Sequence, residues 1–427
     1  MNNLQLTIFF FMQIALILGA CRVVGVIAAR FGQPQVVAEM ITGVVLGPSV
    51  FGLFLPEWQE FLFPWDPTQN TRDTQSYLFP AAQLGLALYM FIVGLEFRVD
   101  IIRDHFKSSV AVSLAGMLAP FLLGIPLAAA LYFQTSLFPE KTSLFAASLF
   151  MGASLCITAF PMLARIIHFK GLAGTRMGTV ALGAGAIDDA AAWCLLALVL
   201  ASFTGNFQGA VVSIAGGFFF VAISFGVIKP LLRRWEGMFL DKNQQLSETG
   251  LVIAIIWMAL GAMTTDWLHL HAVFGAFIAG ATIPRPVVYR QVIERIQPLT
   301  VALLLPLFFT YSGLNTRLNL LNNATLWSIA LVVFLVAILG KGVACWAAAR
   351  ATGIPNREAL GIGTLMNARG LMELIIINIG LDRGIISGEL FAILVIMAIA
   401  TTLMASPIFE WLNRDAPKSA SKPVVAT

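Results

Sequence analysis

Charged residues are scarce along this chain. Only 11% of its 427 residues are Asp, Glu, Lys or Arg, whereas a soluble globular domain carries about 25%. Hydrophobic residues make up 59% of the sequence, and the mean hydropathy is +0.86. This composition excludes an ordinary soluble domain and predicts an integral membrane protein that crosses the lipid bilayer many times.

Cysteine and histidine are also rare, with four of each. His269 and His271 are two residues apart and face different sides of a helix, so they do not form a metal-ligand pair. We expect no cofactor and no resident metal. All four cysteines fall in apolar segments, which predicts small buried side chains and no disulfide: Cys21, Cys156, Cys194 and Cys345.

Three functional classes lack their sequence signatures. The net charge of +4 comes from scattered residues with no basic patch, so no nucleic-acid partner is expected. The pair Gly340-Lys341 has neither the upstream glycine nor the following Ser or Thr of a P-loop, which argues against an ATP-driven pump. An intramembrane aspartyl protease needs facing aspartates from separate helices. The sequence therefore predicts no enzyme and no catalytic residues.

Apolar runs near the length needed to cross about 30 Å of hydrocarbon recur along the chain. The first begins near Met1 without a positive segment or cleavage site, so we interpret it as a retained helix. Thirteen spans are predicted, of which 268–283 is the shortest: 6–29, 36–53, 77–97, 109–133, 143–165, 177–203, 209–232, 247–266, 268–283, 298–314, 325–349, 358–381 and 388–412.

Basic residues test this count, because cytoplasmic loops collect Lys and Arg. With thirteen spans, 19 basic residues fall on one side and four on the other, Arg72, Lys141, Arg317 and Arg383; three lie within spans. A different number of spans would scramble this separation. The N-terminus is therefore predicted outside and the C-terminus in the cytoplasm. We expect the membrane to be a bacterial inner membrane.

The two halves of the chain echo one another. Residues 91–100, with Gly94 and Leu95, align with residues 310–319, with Gly313 and Leu314, and Ile41-Thr-Gly43 matches Ile278-Ala-Gly280. These matches pair spans 1–6 with spans 8–13, and the odd span between them inverts the second half. The predicted fold is all-α, with about 13 transmembrane helices in two inverted six-helix repeats. The domains are 1–205 (repeat 1), 206–246 (linker span and basic loop), 247–412 (repeat 2) and 413–427 (cytoplasmic tail).

Matched positions in the two repeats carry helix-breaking residues. Pro161 follows Cys156-Ile-Thr158 in the fifth span, and Asn367, Arg369, Gly370 and Glu373 interrupt the apolar twelfth span. A proline kink and a packed glycine are the plainer interpretation of each. Inverted-repeat transporters bind their substrates near the membrane midplane at interrupted helices. We therefore predict two interrupted helices.

Asp188 and Asp189 are adjacent in an otherwise apolar span. A carboxylate at that depth costs about 2.5 to 3.5 kcal/mol and marks a functional site. Adjacent helical positions point about 100° apart, so the two should play different roles. Lys341, between two glycines, is the expected ion-pair partner of one of them. Burial and a neighbouring negative charge oppose ionisation of the other, so that a proton and a monovalent cation compete for it. A structural ion-pair network is the alternative.

The remaining charges inside spans have plainer interpretations. Arg369 and Glu373 are one helical turn apart and can satisfy each other. Glu39 and Arg22 lie on neighbouring helices and are interpreted as pairing or scaffold residues.

At this point the motifs resemble those of the cation:proton antiporter-2 family. They cover residues 1 to 412 and comprise Ile157–Arg165, the Asp188-Asp189 pair, His271–Gly280, Lys341 and Met366–Leu374. The resemblance implies a homodimer of thirteen-helix protomers, in which spans 4–6 and 11–13 move like an elevator and two interrupted helices cross beside the aspartates.

The same resemblance implies residue roles. Asp189 would be the principal cation and proton carboxylate, Asp188 would pair with Lys341, and Thr158 would line the crossing with Asn367, Arg369 and Glu373 nearby. The transported ion, Na⁺ or K⁺, would be a substrate exchanged for H⁺ by alternating access. The aspartate pair resembles the sodium exchangers, whereas Met366–Leu374 resembles potassium-associated relatives. A passive cation channel or a proton-coupled symporter on the same fold is the alternative.

Overall fold

The computed structural model describes residues 3–31, 33, 35–63, 75–96, 105–172, 175–204, 207–268, 270–284, 287–314 and 320–412. Several predicted features lie outside these residues. They include the C-terminal parts of the two matched segments, 97–100 and 315–319. They also include the tail 413–427 and the residues Arg72, His269 and Arg317.

The described chain is almost entirely helical, with no β-strand among the described residues. Its helices are α1 (Asn3–Arg30), α2 (Gln35–Leu46), α3 (Phe51–Phe54), α4 (Pro56–Leu62), α5 (Gln75–Glu96), α6 (Phe106–Gln134), α7 (Leu144–Cys156), α8 (Phe160–Phe169), α9 (Arg176–Thr204), α10 (Phe207–Ile223), α11 (Lys229–Arg234), α12 (Glu248–Trp267), α13 (Ala272–Thr282), α14 (Val287–Leu299), α15 (Leu305–Leu314), α16 (Ala324–Ala351), α17 (Asn356–Leu365), α18 (Leu371–Asp382) and α19 (Gly388–Leu412).

Nine helical stretches within the described residues are long and apolar enough to cross a membrane. They confirm a polytopic all-helical membrane protein. The other four predicted spans coincide with α9, with the short helix α13, and with the interrupted pairs α7–α8 and α17–α18. The total of thirteen spans stays a prediction.

One predicted boundary is wrong. The tenth span was expected to begin at 298 after a loop, but the helix begins at Val287 and continues through a π-helical turn, Thr300–Leu304, into α15. Val288, Val292 and Ile296 on α14 are buried. Apolar residues four apart with charged residues between them form an amphipathic helix, which a search for continuous apolar runs does not detect.

Helices α5 and α13 pack with their backbones in close approach. A Cβ atom added at Gly94 would lie 2.1 Å from Phe277 O, and one added at Gly280 would lie 2.1 Å from Phe91 O. Small residues allow this approach in membrane helices, where no hydrophobic effect drives association. We call these four residues the glycine contact.

Helix α9, which carries Asp188 and Asp189, is surrounded by other helices. It packs against α6, α7, α8 and α17. Buried apolar residues join α9 to α6, α16 and α17 in one cluster: Val112, Val180, Ala181, Ala184, Cys345, Ala349, Ala359 and Ile362. The aspartates are therefore enclosed by helices from both halves of the chain.

Candidate functional site

The first interruption lies between α7 and α8. Helix α7 ends at Cys156, residues 157–159 are not helical, and Ile157 has an extended backbone with φ −75° and ψ 139°. Pro161 is the second residue of α8. The first residues of a helix have N–H groups without intrahelical acceptors, so the missing N–H of proline costs little there. The helix thus restarts at the predicted place.

The second interruption lies between α17 and α18, at residues 366–370. Gly370 has φ 159° and ψ −116°, a conformation that residues with a Cβ atom rarely adopt. Both predicted interruptions are therefore present in the structure.

The two interruptions lie against each other. The Ala159 N–H donates a hydrogen bond to Ala368 O at 3.1 Å, and the Thr158 hydroxyl oxygen lies 3.4 Å from Met366 O. Each interruption thereby provides hydrogen-bond partners for backbone groups of the other, as buried backbone groups require. We call the two interruptions and the side chains that contact them the crossing region.

Asp188 is buried in the crossing region with a full set of partners. Ser113 Oγ donates to its Oδ1 at 2.6 Å, and Thr158 Oγ1 donates to its Oδ2 at 2.6 Å. Lys341 Nζ lies 3.2 Å from the same Oδ2, and both side chains are 0% exposed. These three contacts are of the kind that a buried charge needs.

Asp189 is equally buried but differently surrounded. It is 3% exposed, and its Oδ1 has no hydrogen-bond partner among the described residues. Since successive helical residues point about 100° apart, Asp189 does not share the partners of Asp188. The adjacent aspartates thus comprise one carboxylate with three partners and one with an oxygen that has no hydrogen-bond partner among the described residues.

Lys341 reaches the crossing region from α16 between two glycines. Its Nζ also donates to Gly116 O at 3.0 Å and to Cys156 O, the last carbonyl of α7. A cation at the C-terminal end of a helix offsets the negative end of the helix dipole. A Cβ atom at Gly342 would lie 2.7 Å from Asn367 Nδ2, so this glycine lets the second interruption approach α16.

Arg369 and Glu373 form a second buried ion pair. Arg369 Nη1 lies 3.3 Å from Glu373 Oε1, with side-chain exposures of 0% and 1%. The guanidinium also donates to Ser154 O at 2.9 Å and to Leu155 O at 2.5 Å. Two cations, Arg369 and Lys341, therefore bind the last three carbonyls of α7.

The structure brings most of the predicted residues together. Asn367 lies in the second interruption, but its Nδ2 donates to Gly363 O at 3.1 Å in its own segment. Glu39 is buried whereas Arg22 is exposed, and neither lies on an element of the crossing region. Cys21, Cys156 and Cys345 are free and buried, and the side chain of Cys194 lies outside the described residues.

Sequence reasoning missed Ser113 and Thr402. Thr402 on α19 accepts from Arg369 N at 3.0 Å and donates to Arg369 O at 2.5 Å, which fixes the backbone of the second interruption. Ser113 recurs one helical turn after Ser109, and both are 0% exposed. Two hydroxyls on one face of an apolar span were the available signal.

Comparison with known proteins decides the family. Residues 14–414 match the family of transmembrane sodium/hydrogen exchangers. The chain belongs to this family. Its members are transporters, so the protein is a membrane antiporter and not an enzyme, as the sequence predicted.

Individual relatives cover most of this sodium/hydrogen exchanger chain. The Na(+)/H(+) antiporter NhaS4 of Synechocystis is 39% identical over 402 residues, which are 93% of this chain and 95% of that protein. The K(+)/H(+) antiporter 1 of Saccharomyces cerevisiae is 32% identical over 437 residues, and the match spans all of this chain but only 49% of the yeast protein.

A solved structure shares the fold. The sodium proton antiporter MjNhaP1 from Methanocaldococcus jannaschii superposes with a TM-score of 0.67, at 14% identity, over 96% of this chain and 99% of that one. At this identity the likeness concerns the fold alone. It agrees with the predicted architecture of interrupted helices inside an all-helical membrane bundle.

Proposed function

We propose that this antiporter exchanges protons for Na⁺ or K⁺ by alternating access, with Asp189 as the group that the proton and the cation bind in turn. The observation that carries the proposal is the unequal state of the two aspartates. Asp188 already has three partners, whereas Asp189 is buried with an oxygen that has none among the described residues. A monovalent cation or a proton supplies the missing partner.

The charge balance of the crossing region supports the same assignment. Its buried ionisable groups are two cations and three carboxylates: Lys341, Arg369, Asp188, Asp189 and Glu373. When all are ionised, the formal charge is −1. One proton or one monovalent cation therefore makes the region neutral, and both together would leave an uncompensated buried charge, which is costly. Competition between the two substrates follows from this balance.

Thr158 and Asp188 would support the site. Residues 157–159 are not helical, and carbonyls freed at broken helices coordinate transported ions. The relatives carry names of both Na⁺/H⁺ and K⁺/H⁺ antiporters. We therefore propose a site for a monovalent cation, either Na⁺ or K⁺.

Helix packing supports the proposed inverted repeat. If spans 2 and 3 correspond to spans 9 and 10, the contact of α5 with α13 should have a counterpart between α2 and α15. These helices do pack together. A Cβ atom added at Gly43, the equivalent of Gly280, would lie 2.3 Å from Phe309 O.

Alternating access requires one bundle to move against the other. An apolar cleft of about 220 Å³ separates α2 from α19, lined by residues such as Ile41, Val45, Ile396 and Leu403. The Gln33 side chain bridges the same two segments by donating to Leu403 O at 3.0 Å. A mainly apolar boundary supports sliding of α6–α9 and α16–α19 as a unit. The homodimer, the inner-membrane location and the orientation of the termini stay predictions.

The deciding experiment is exchange by purified protein in proteoliposomes that contain a pH-sensitive dye. Each alkali cation is titrated with and without a membrane potential. Asp189→Asn should abolish cation-dependent proton movement while the protein still folds, and Asp382→Asn, at the far end of α18, should leave it unchanged. Full exchange by Asp189→Asn would remove Asp189 from the mechanism. Cation current without proton movement would indicate a channel instead.

A further inference from the structure

Three buried polar atoms near the first interruption have no partner among the described residues: Ser154 Oγ, Arg369 Nε and Glu373 Oε2. Arg369 Nη1 contacts the other two residues, since it lies 2.9 Å from Ser154 O and 3.3 Å from Glu373 Oε1. Leaving buried polar groups without partners is costly. This cluster is therefore built to accept a further group, such as a proton on the carboxylate.

Glu373 is held more weakly than Asp188. Asp188 has three partners, two of them at 2.6 Å, whereas the contact of Glu373 with Arg369 is the longest that the guanidinium makes to these neighbours. Arg369 remains anchored by Ser154 O and Leu155 O whatever the state of Glu373. A proton can therefore bind Glu373 without releasing the arginine.

Arg369 is connected to the proposed cation site by contacts along the end of α7. Its partner Leu155 O directly precedes Cys156 O, which binds Lys341, and Lys341 in turn binds Asp188. Arg369 and Lys341 thus bind consecutive carbonyl oxygens at the C-terminal end of α7. Inside a protein, two charges interact far more strongly than at the same separation in water.

We propose that Glu373 is a second proton-binding carboxylate, which regulates cation binding at Asp189 by switching the net charge of the Arg369–Glu373 pair. The inference rests on the proposed function. The ionised carboxylate neutralises Arg369. When a hydronium ion transfers its proton to Glu373 Oε2, water is released and the guanidinium charge is left uncompensated. That positive charge opposes a cation at Asp189, and loss of the proton to water reverses the effect.

Other charged or titratable groups near Glu373 are few among the described residues. Helix α18 packs against α7, α15 and α19. The charged group in contact with Glu373 is Arg369, and the charge of Lys341 on α16 also acts on the Glu373 carboxyl. The titratable groups on these helices are Cys156 at the end of α7, Tyr311 on α15, Asp382 at the far end of α18, and Glu389 and Glu410 near the two ends of α19.

The test is the pH dependence of the apparent KM for the cation in proteoliposomes. Glu373→Gln mimics the protonated state, so at alkaline pH its KM should rise about tenfold, the order of a single partly screened buried charge. At acid pH its KM should match that of the wild type, which flattens the profile. Asp382→Asn should keep the wild-type profile. A wild-type profile in Glu373→Gln, with only a lower Vmax and a lower unfolding temperature, would mean a structural ion pair and overturn the inference.

Glu373→Asp provides the conservative comparison, because it keeps a titratable acid at an altered distance from Arg369. Its profile should remain pH-dependent with a displaced midpoint, and an unchanged midpoint counts against the inference even where Glu373→Gln does not fold. Asp189→Asn is measured alongside. Loss of exchange there, with a wild-type profile in Glu373→Gln, overturns only the role of Glu373. Full exchange in Asp189→Asn overturns the cation site and this regulation together.

Discussion

The crossing region and the glycine contact differ in the groups through which their helices meet. At the glycine contact, α5 and α13 touch through backbone, because Gly94 and Gly280 leave no room for a side chain. In the crossing region the chain buries five ionisable side chains, and some of their atoms have no partner in the part of the chain that the structure describes. Where the protein only needs to join helices it removes side chains. Where we propose that ions bind and leave, it keeps costly, incompletely satisfied groups.

The largest effect on stability is expected from breaking the ion pair of the crossing region. Lys341→Met leaves Asp188 buried without its cation, although Ser113 and Thr158 still donate to it. Removing one partner of a buried pair costs about 3 to 5 kcal/mol. The unfolding temperature in detergent, measured by fluorescence-detected gel filtration, should therefore fall strongly.

The matched control for Lys341→Met is the double variant Asp188→Asn/Lys341→Met. It has no unpaired charge at this position, so most of the lost stability should return. If the single variant unfolds at the wild-type temperature, the pair does not hold the crossing region together. If the double variant is as unstable as the single one, the loss comes from the contacts of Lys341 with Gly116 O and Cys156 O instead.

A smaller effect is expected at the glycine contact. Gly280→Ala places a Cβ atom 2.1 Å from Phe91 O, a distance that forces α5 and α13 apart. Overpacking of this kind costs about 1 to 3 kcal/mol. Gly19→Ala in α1 is the control, since nothing lies within 4 Å of its added Cβ atom. It should be neutral or gain up to about 1 kcal/mol from helix propensity. Equal behaviour of the two variants would contradict close backbone packing as the basis of the contact.

The sequence predicted much of the crossing region because its signals are local. Two adjacent aspartates, a lysine between glycines and two interruptions at matched positions stand out in apolar spans, whatever the packing around them. The distribution of partners could not be read in this way. It depends on helix rotation and on residues such as Ser113 and Thr402, which lie on other helices. The start of α14 was missed because its apolar residues form a face and not a run.

The smallest effect concerns two serine N-caps, one on a helix that leads into the crossing region and one on a helix that packs against the glycine contact. Ser143 caps α7, which leads into the first interruption, and accepts from Ala146 N at 3.1 Å; Ser247 caps α12, which packs on α13, and accepts from Gly250 N at 2.9 Å. Replacing either cap by Ala should cost about 1 kcal/mol, with cation exchange unchanged. The two losses should be similar, because each serine accepts one backbone N–H at nearly the same distance. A clearly larger loss for Ser143→Ala would show that α7 depends on its first turn more than α12 does. The crossing region would then depend on the whole of α7, and not only on the cations bound at its far end.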